Sequence, residues 1–235
     1  MLLGRVFGRP EKFSMYFRQI IFEMNSLGIG SLGLIAIISV FMGAVITIQT
    51  AYNITNPLIP AYTLGLSTRE SIILEFSPTI ISLILAGKVG SNISSEIGTM
   101  RISEQIDALE IMGINSASYL ILPKVLAAMF INPFLITISM FLGIAGGYVM
   151  GVLSEACTSH NYIMGIQSFF IPFNIYYSLF KTVVFAFIIT SVSAYHGYYT
   201  SGGALEVGRA STKSVVYNSI LILIANLIIT WLMLF

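Results

Sequence analysis

Five long apolar runs, separated by shorter polar stretches, dominate this chain of 235 residues. An α-helix needs about 20 apolar residues to cross roughly 30 Å of hydrocarbon. The pattern therefore predicts an all-α integral membrane protein with about five transmembrane helices in a single membrane domain, residues 1–235. The predicted spans are residues 27–52, 70–90, 121–152, 175–196 and 214–235.

Residues 10–26, ahead of the first span, carry apolar side chains at helical spacing, among them Phe17, Ile20, Ile21 and Met24. This spacing predicts an N-terminal amphipathic helix that lies in the membrane interface. In the alternative interpretation, the same residues extend the first span beyond the bilayer.

Composition supports the membrane assignment, because 56% of the residues are hydrophobic and only 9% are charged. The net charge of +1 shows no basic excess of the kind that a nucleic-acid-binding protein needs. The single Cys157 excludes an internal disulfide. Because His160 and His196 stand apart from each other in the sequence, no metal site is predicted.

Basic residues are distributed unequally between the two sides that five crossings define. The positive-inside rule places the N-terminus and the connectors 87–124 and 197–214 in the cytoplasm, and the C-terminus outside, in the periplasm. The predicted cytoplasmic side holds nine basic residues, Arg5, Arg9, Lys12, Arg18, Lys88, Arg101, Lys124, Arg209 and Lys213, and the other side holds Arg69 and Lys181.

A charged island at residues 87–113 separates the second and third apolar runs. Ser103 is predicted to be an N-cap and Gly113 a helix terminator, which together favour a short cytoplasmic helix over residues 104–112 between spans 2 and 3. We expect this helix to seat on a soluble partner, although a solvated charged loop is the alternative. Its acidic positions are Glu104, Asp107 and Glu110, and its apolar positions are Ile106 and Leu109.

The stretch from Ala86 to Gly113, AGKVGSNISSEIGTMRISEQIDALEIMG, resembles the MlaE-type (YrbE-like) permeases, the membrane subunits of ABC transporters that move phospholipids between the two membranes of diderm bacteria. Residues 30–52 and 195–216 agree with the same family. The chain departs from the family pattern at three positions, where Lys88 replaces a frequent Arg, Leu74 replaces an Arg and Asn226 replaces an Asp.

The resemblance implies a homodimer, two cytoplasmic ABC ATPase subunits that dock on residues 93–113, and a periplasmic MCE-domain protein. ATP and Mg would bind the partner ATPase, because this chain has no GxxxxGK[ST] loop and is predicted to be a transport subunit without enzymatic activity or cofactors. The predicted ATPase-coupling residues are Glu96, Gly98, Thr99, Met100, Arg101, Glu104, Gln105, Asp107, Ala108, Leu109 and Glu110.

Glu75 and Lys181 are the two clearest charged residues inside the predicted spans. A charge at the bilayer centre costs on the order of 3 kcal/mol, so each one needs a reason. By resemblance, Glu75 lines a lipid cavity; a structural pair or a place at the outer interface is the alternative. Lys181 could attract a phosphate, pair with Glu75, or snorkel outward. Gln49 and Tyr52 are candidate contacts at the lipid entrance.

Gly143, Gly147 and Gly151 repeat the GxxxG pattern, which gives the third span one smooth face. This face is predicted to pack within the helix bundle, and a dimer seam is the alternative use.

These observations predict a permease that moves phospholipids between the inner and outer membranes and is powered by a separate ATPase. The alternatives are a stand-alone secondary lipid transporter or channel, an MCE-type permease for sterols or other lipids, and a membrane scaffold without transport. No plastid-type transit extension is recognisable, which favours a bacterial inner membrane.

Overall fold

The structure is a computed structural model that describes residues 2–7, 13–54 and 59–234. Within these ranges every regular element is helical, so the predicted all-α class is confirmed. The α-helices are α1 Leu2–Phe7, α2 Phe13–Asn53, α3 Thr63–Ser71, α4 Ile81–Leu85, α5 Ser91–Ile102, α6 Gln105–Ile111, α7 Ser116–Leu153, α8 Ser159–Gln167, α9 Phe173–Tyr198 and α10 Ala204–Leu234. Two π-helical segments, Ile72–Ile80 and Ala86–Gly90, join α3 to α4 and α4 to α5.

Five helical stretches of the described chain are long and apolar enough to cross a membrane, as predicted. Each begins before its predicted start. The second stretch has 40 residues, or about 60 Å at 1.5 Å per residue, which is twice the thickness of the hydrocarbon. The helices therefore continue well past the apolar runs. The five stretches are Tyr16–Asn53, Thr63–Ile102, Ser116–Leu153, Phe173–Tyr198 and Ala204–Leu234.

The chain divides into two compact units. The first unit comprises Met1–Ser31, Ser82–Asn132 and Thr182–Phe235. The second unit comprises Leu32–Ile81 and Pro133–Lys181. The predicted coupling region falls in the first unit, and both charges predicted inside the spans fall in the second.

Helix α2 is continuous from Phe13 to Asn53, without an interruption where the predicted interfacial helix meets the first span. This continuity agrees with the alternative in which residues 13–26 extend the first span. Residues 10–12 of the predicted interfacial helix lie outside the described residues, and its position at the membrane surface stays a prediction.

The polar island is mostly helical and continues the second span. The helix of that span ends at Ile102, whereas the apolar pattern placed its end near residue 90. Small polar residues allow this, because α5 still presents Ile93 and Ile97 one turn apart, both fully buried, and the helix packs against α10. A stretch that is polar in composition thus keeps one apolar stripe.

Glycines allow α2 and α7 to approach closely in the second unit. A Cβ atom on Gly43 would lie 1.8 Å from the carbonyl oxygen of Gly143, and one on Gly147 would lie 2.5 Å from Oγ1 of Thr47. Gly151 also faces Thr47. The GxxxG face therefore packs against α2 within the same chain, which leaves no exposed glycine surface there for a dimer seam.

Candidate functional site

The short helix α6 is fixed at both ends by backbone geometry. Before it, Glu104 adopts φ 60°, in the left-handed region that L-residues rarely occupy. After it, Gly113 has φ 78°, and the N–H groups of Gly113 and Ile114 donate back to carbonyls of the last turn, forming a Schellman motif. Gly113 therefore ends the helix, as the sequence predicted.

Ser103 is not the N-cap of α6, so that prediction was wrong. Its backbone N–H and its Oγ both donate to the carbonyl of Thr99, at 3.0 and 2.8 Å. Ser103 thus completes the last turn of α5. The sequence did not reveal that a second helix ends directly before α6 and competes for the same side chain.

A buried apolar side chain holds α6 against the protein, whereas the C-terminal end of α6 faces outward. Ile106 is fully buried. In contrast, Ile111 and the following Met112 are 87% and 65% exposed. Two adjacent large apolar side chains at the tip of a helix form a small apolar patch beside the predicted acidic face, as at surfaces that another protein covers.

Polar contacts connect α6 to three other helices of the first unit. The guanidinium of Arg101 in α5 lies 2.5 Å from the carboxylate of Asp107. The carboxylate of Glu110 accepts hydrogen bonds from the hydroxyls of Tyr198 in α9 and Ser116 in α7, each at 3.0 Å. The bond from Tyr198, followed by that from Ser116, holds the pKa of Glu110 below its usual range.

The first unit also contains a buried cluster of three charges that sequence reasoning missed. The ammonium of Lys124 in α7, 3% exposed, lies 2.6 Å from Glu23 of α2 and 2.8 Å from Glu96 of α5. Glu23 is 8% exposed and Glu96 38%. Lys124 therefore connects the predicted coupling residue Glu96 to the part of α2 that precedes the predicted first span.

The six-residue helix α1, which the sequence did not predict, packs beside the start of α7. Its Val6 is fully buried, and Nδ2 of Asn115 donates to the backbone carbonyl of Arg5 at 2.8 Å. The N-terminus of the chain is thereby attached to the segment that joins α6 to α7.

The remaining predicted coupling residues differ in accessibility. Gly98 is buried, and a Cβ atom there would lie 3.2 Å from Val207 of α10, so Gly98 allows close helix packing and presents no outer surface. Thr99, Gln105 and Ala108 are exposed, and Met100 and Leu109 are half-buried.

In the second unit, the two charges predicted inside the spans meet. The ammonium of Lys181 lies 2.9 Å from the carboxylate of Glu75. Lys181 is fully buried, so it does not snorkel outward. Its ammonium also donates to the carbonyl of Leu74 at 3.2 Å and lies 4.6 Å from the ring centroid of Tyr177. The carboxylate side of the pair is more accessible, because Glu75 remains 43% exposed.

Local backbone geometry positions Glu75. It lies in the π-helical segment Ile72–Ile80, which contains Pro78. Proline has no backbone N–H to donate and disturbs the regular α-helical ladder, and π-helical turns are frequent at functional sites. Oγ1 of Thr79 donates to the second carboxylate oxygen of Glu75 at 3.0 Å.

Arg69, which the sequence left without a role, is 2% exposed in the second unit. It pairs with Glu70 at 2.5 Å and donates to the carbonyl of Ser168 at 2.8 Å, which attaches the start of the second span to the end of α8. An arginine next to a glutamate in so apolar a chain was the available sequence signal.

Gln49 and Tyr52, the predicted entrance residues, are exposed near the end of α2. Beside this helix, the second unit contains a cavity of about 10 Å³ lined by Ser39, Phe76 and Ser139 among others. That volume suits one water molecule and cannot hold a lipid. Gln49 and Tyr52 are accessible instead from the exposed surface of the unit.

Five helical stretches long and apolar enough to cross a membrane, with an ion pair inside two of them, describe a multi-pass membrane protein. The family model described as Permease MlaE matches residues 20–232, and the chain belongs to this permease family.

Its relatives carry consistent names. A probable ABC transporter permease protein from Rickettsia bellii is 39% identical over 92% of this chain and 83% of its own length. A Synechocystis protein of the same description is 34% identical over 99% and 88%. The intermembrane phospholipid transport system permease protein MlaE from Haemophilus influenzae is 29% identical over 99% and 89%. The chain is therefore an ABC transporter permease, which is a transport subunit.

Proposed function

We propose that this chain is the membrane subunit of an ABC transporter that moves phospholipids between the inner and outer membranes of a diderm bacterium. Two copies would form the permease, and two separate cytoplasmic ATPase subunits would bind ATP and Mg and supply the energy. A periplasmic MCE-domain protein would exchange lipid with it. Family membership and the name of the Haemophilus influenzae relative support the substrate class.

The surface of α6 carries this proposal. Its apolar tip, Ile111 and Met112, is exposed, as is Glu104 at the other end of the helix, while the buried Ile106 anchors the helix to the protein. Because α6 is connected to α5 by an ion pair and to α7 and α9 through Glu110, a displacement of α6 would be passed to three membrane-crossing stretches. An ATPase seated on α6 could therefore move the spans.

The ion pair between Lys181 and Glu75 is the proposed lipid contact. The half-exposed carboxylate of Glu75 lies inside a candidate span. A charged group is costly there, so a polar ligand would stabilise it. The transported molecule would occupy a space enclosed by two copies of the chain. The N-terminus and α6 would face the cytoplasm of the inner membrane, and the C-terminus the periplasm.

The substitution Ile111→Glu tests the docking surface. It places a charge on a side chain that is 87% exposed, so it should leave folding and membrane insertion unchanged. We expect the ATPase to be lost when the tagged permease is purified from cells that express the whole operon. Leu205→Glu is the matched control, because Leu205 is also an exposed apolar residue (71%) near the start of a helix, α10. Wild-type recovery of the ATPase with the Ile111 variant would disprove docking on α6.

A further inference from the structure

A polar groove of about 500 Å³ lies in the first unit between α2, the start of α5 and α10. Seven of the nine residues that line it are polar: five serines, Asn92 and Lys88. The volume falls within the range of pockets that bind small ligands, about 300–1,000 Å³. Hydroxyl and amide groups concentrated in one groove can hold a polar ligand through several hydrogen bonds.

The charge of this groove distinguishes it from the other polar pockets of the first unit. None of its lining residues in the described chain is acidic. A second pocket contains Glu206, which pairs with Arg209 at 2.5 Å, and a third contains Glu110. In those two pockets a carboxylate already offsets the cations. The groove around Lys88 combines a cation with neutral hydrogen-bonding groups, which is the chemistry of an anion site.

Lys88 is positioned by the backbone. It lies in the π-helical segment Ala86–Gly90, its side chain is exposed, and its ammonium donates to the carbonyl of Gly30 in α2. An ammonium has three N–H donors, so this contact fixes its direction and leaves donors for a ligand. Among the described residues, Lys88 forms no salt bridge.

We infer that this groove binds the phosphate of a phospholipid headgroup. A lysine together with hydroxyl and amide donors suits the phosphodiester oxygens, because charge-assisted hydrogen bonds to phosphate are the stronger kind. The position of Ser26 favours a lipid over free phosphate. Phe22 and Ile29, four residues before and three after it, share its face of α2 and are 69% and 67% exposed. Acyl chains can lie along this apolar surface while the headgroup occupies the groove. As a step in the transport path the site rests on the proposed function, whereas binding itself needs no nucleotide.

Titration of the purified full-length chain in detergent with dihexanoyl phosphatidylglycerol, kept below its micelle concentration, tests the site. Lys88→Gln should weaken binding about 10- to 100-fold, the range expected when one charge-assisted hydrogen bond is lost. Lys88→Arg keeps the charge and should bind within a few-fold of wild type. Lys213→Gln is the matched control, because Lys213 is an exposed lysine that lines the pocket with Glu206 and should leave the affinity unchanged.

Three outcomes would overturn the inference. Wild-type affinity in the Lys88→Gln variant would remove the lysine from the site. Equal binding of dihexanoylglycerol, which lacks phosphate, would show that the headgroup is not recognised. Inorganic phosphate that binds as tightly as the lipid would show a site for the free anion instead.

A second variant tests the same site if the Lys88→Gln protein does not fold. Asn92→Asp changes the size of an exposed side chain very little and adds a carboxylate to the lining of the groove. It should weaken phospholipid binding by about the same 10- to 100-fold, and unchanged binding would contradict the inference. Because no ATPase is present in the titration, failure here is distinguishable from failure of the Ile111 docking test.

Discussion

Two buried lysines, one in each unit, meet their carboxylates in different ways. Lys124 in the first unit, 3% exposed, lies between Glu23 and Glu96 at 2.6 and 2.8 Å. Lys181 in the second unit is fully buried and meets one carboxylate, that of Glu75, at 2.9 Å. The cluster around Lys124 thus holds two negative charges for one positive charge, and the other pair holds one for one.

The exposure of the carboxylates indicates what each lysine does. Glu23 is 8% exposed, and Glu96, 38% exposed, lies in the connector predicted to face the cytoplasm, where water can reach it, so the cluster around Lys124 requires no external partner. Glu75 is 43% exposed although it lies in a candidate span. A half-exposed carboxylate in hydrocarbon lacks water and benefits from a polar ligand. We therefore expect Lys124 to serve stability and the pair of Lys181 with Glu75 to serve lipid binding.

The largest expected effect is that of Lys124→Met. The substitution leaves two carboxylates close together, one of them buried, and removing one partner of a buried ion pair typically costs about 3–5 kcal/mol. We expect a strongly lowered temperature of thermal unfolding in detergent, or loss of the folded protein on size-exclusion chromatography.

The double variant Glu23→Leu with Lys124→Met is the control. It removes the buried acid together with the lysine, and a buried pair replaced by apolar residues is often neutral in stability. Recovery of most of the wild-type unfolding temperature is expected. If Lys124→Met alone is as stable as wild type, the cluster around Lys124 does not stabilise the fold.

The next largest effect is that of Gly43→Ala in the second unit, whose stability we attribute to helix packing more than to its charges. The added Cβ atom would lie 1.8 Å from the carbonyl oxygen of Gly143, so α2 and α7 must separate. Overpacking of this kind costs about 1–3 kcal/mol.

Gly33→Ala is the matched control, because a Cβ atom on Gly33 meets no atom within 4 Å. Alanine favours helix by up to about 1 kcal/mol over glycine, so this variant should unfold at the wild-type temperature or above it. Thermal unfolding of both variants, measured side by side, decides the point. Equal stability of the two proteins would contradict the close approach of the helices.

The five spans could be predicted from the sequence because an apolar run of membrane length seldom forms anything except a transmembrane helix. The helical extensions beyond these spans could not be predicted from the sequence. Serine, glycine and threonine in the island suggested a connector, and the stripe formed by Ile93 and Ile97 is too short to stand out among them. Burial of that stripe and the packing of α5 against α10 are tertiary effects. The N-cap predicted at Ser103 failed for a related reason, since two helices share that turn.

Candidate site residues were predictable where a charge interrupts an apolar run, as Glu75 and Lys181 do. The cluster around Lys124 was not, because its carboxylates lie 101 and 28 residues away in the chain. Glu23 lies in the segment predicted to be amphipathic, where a solvated charge is the ordinary expectation. A pair that forms only by tertiary folding leaves no periodic signal in one sequence.

A smaller effect on stability, with a larger one on lipid binding, is expected for Glu75→Gln. The amide oxygen can still accept from Lys181, which also keeps its contacts with Leu74 and Tyr177. The loss of stability should therefore be about 1 kcal/mol. Native mass spectrometry of the complex should show fewer bound phospholipids than wild type. Thr79→Val, which removes the hydroxyl beside Glu75 and keeps the charge, is the control. Unchanged lipid occupancy in the Glu75 variant would assign the pair to structure, like Lys124.

The smallest effect concerns Glu110 at the end of α6, whose pKa is lowered chiefly by the hydrogen bond from Tyr198. For a carboxyl with a depressed pKa in the folded state, the stabilisation is complete above the unfolded value, about 4.3 for glutamate, and disappears as the pH falls through the folded pKa. Glu110→Gln removes this contribution. Wild type should therefore unfold at a slightly higher temperature than the variant at pH 7, and the difference should shrink once the pH falls below about 4.3 and vanish below the lowered pKa of the folded state. Because Glu110 is exposed, screening by solvent keeps the difference in unfolding temperature small.

Asp107→Asn is the control, because it removes another charge from α6, that of the carboxylate paired with Arg101. A pH dependence seen only with the Glu110 variant would identify the hydrogen bond that connects α6 to α9. A difference between wild type and the Glu110 variant that is independent of pH would assign its effect to packing.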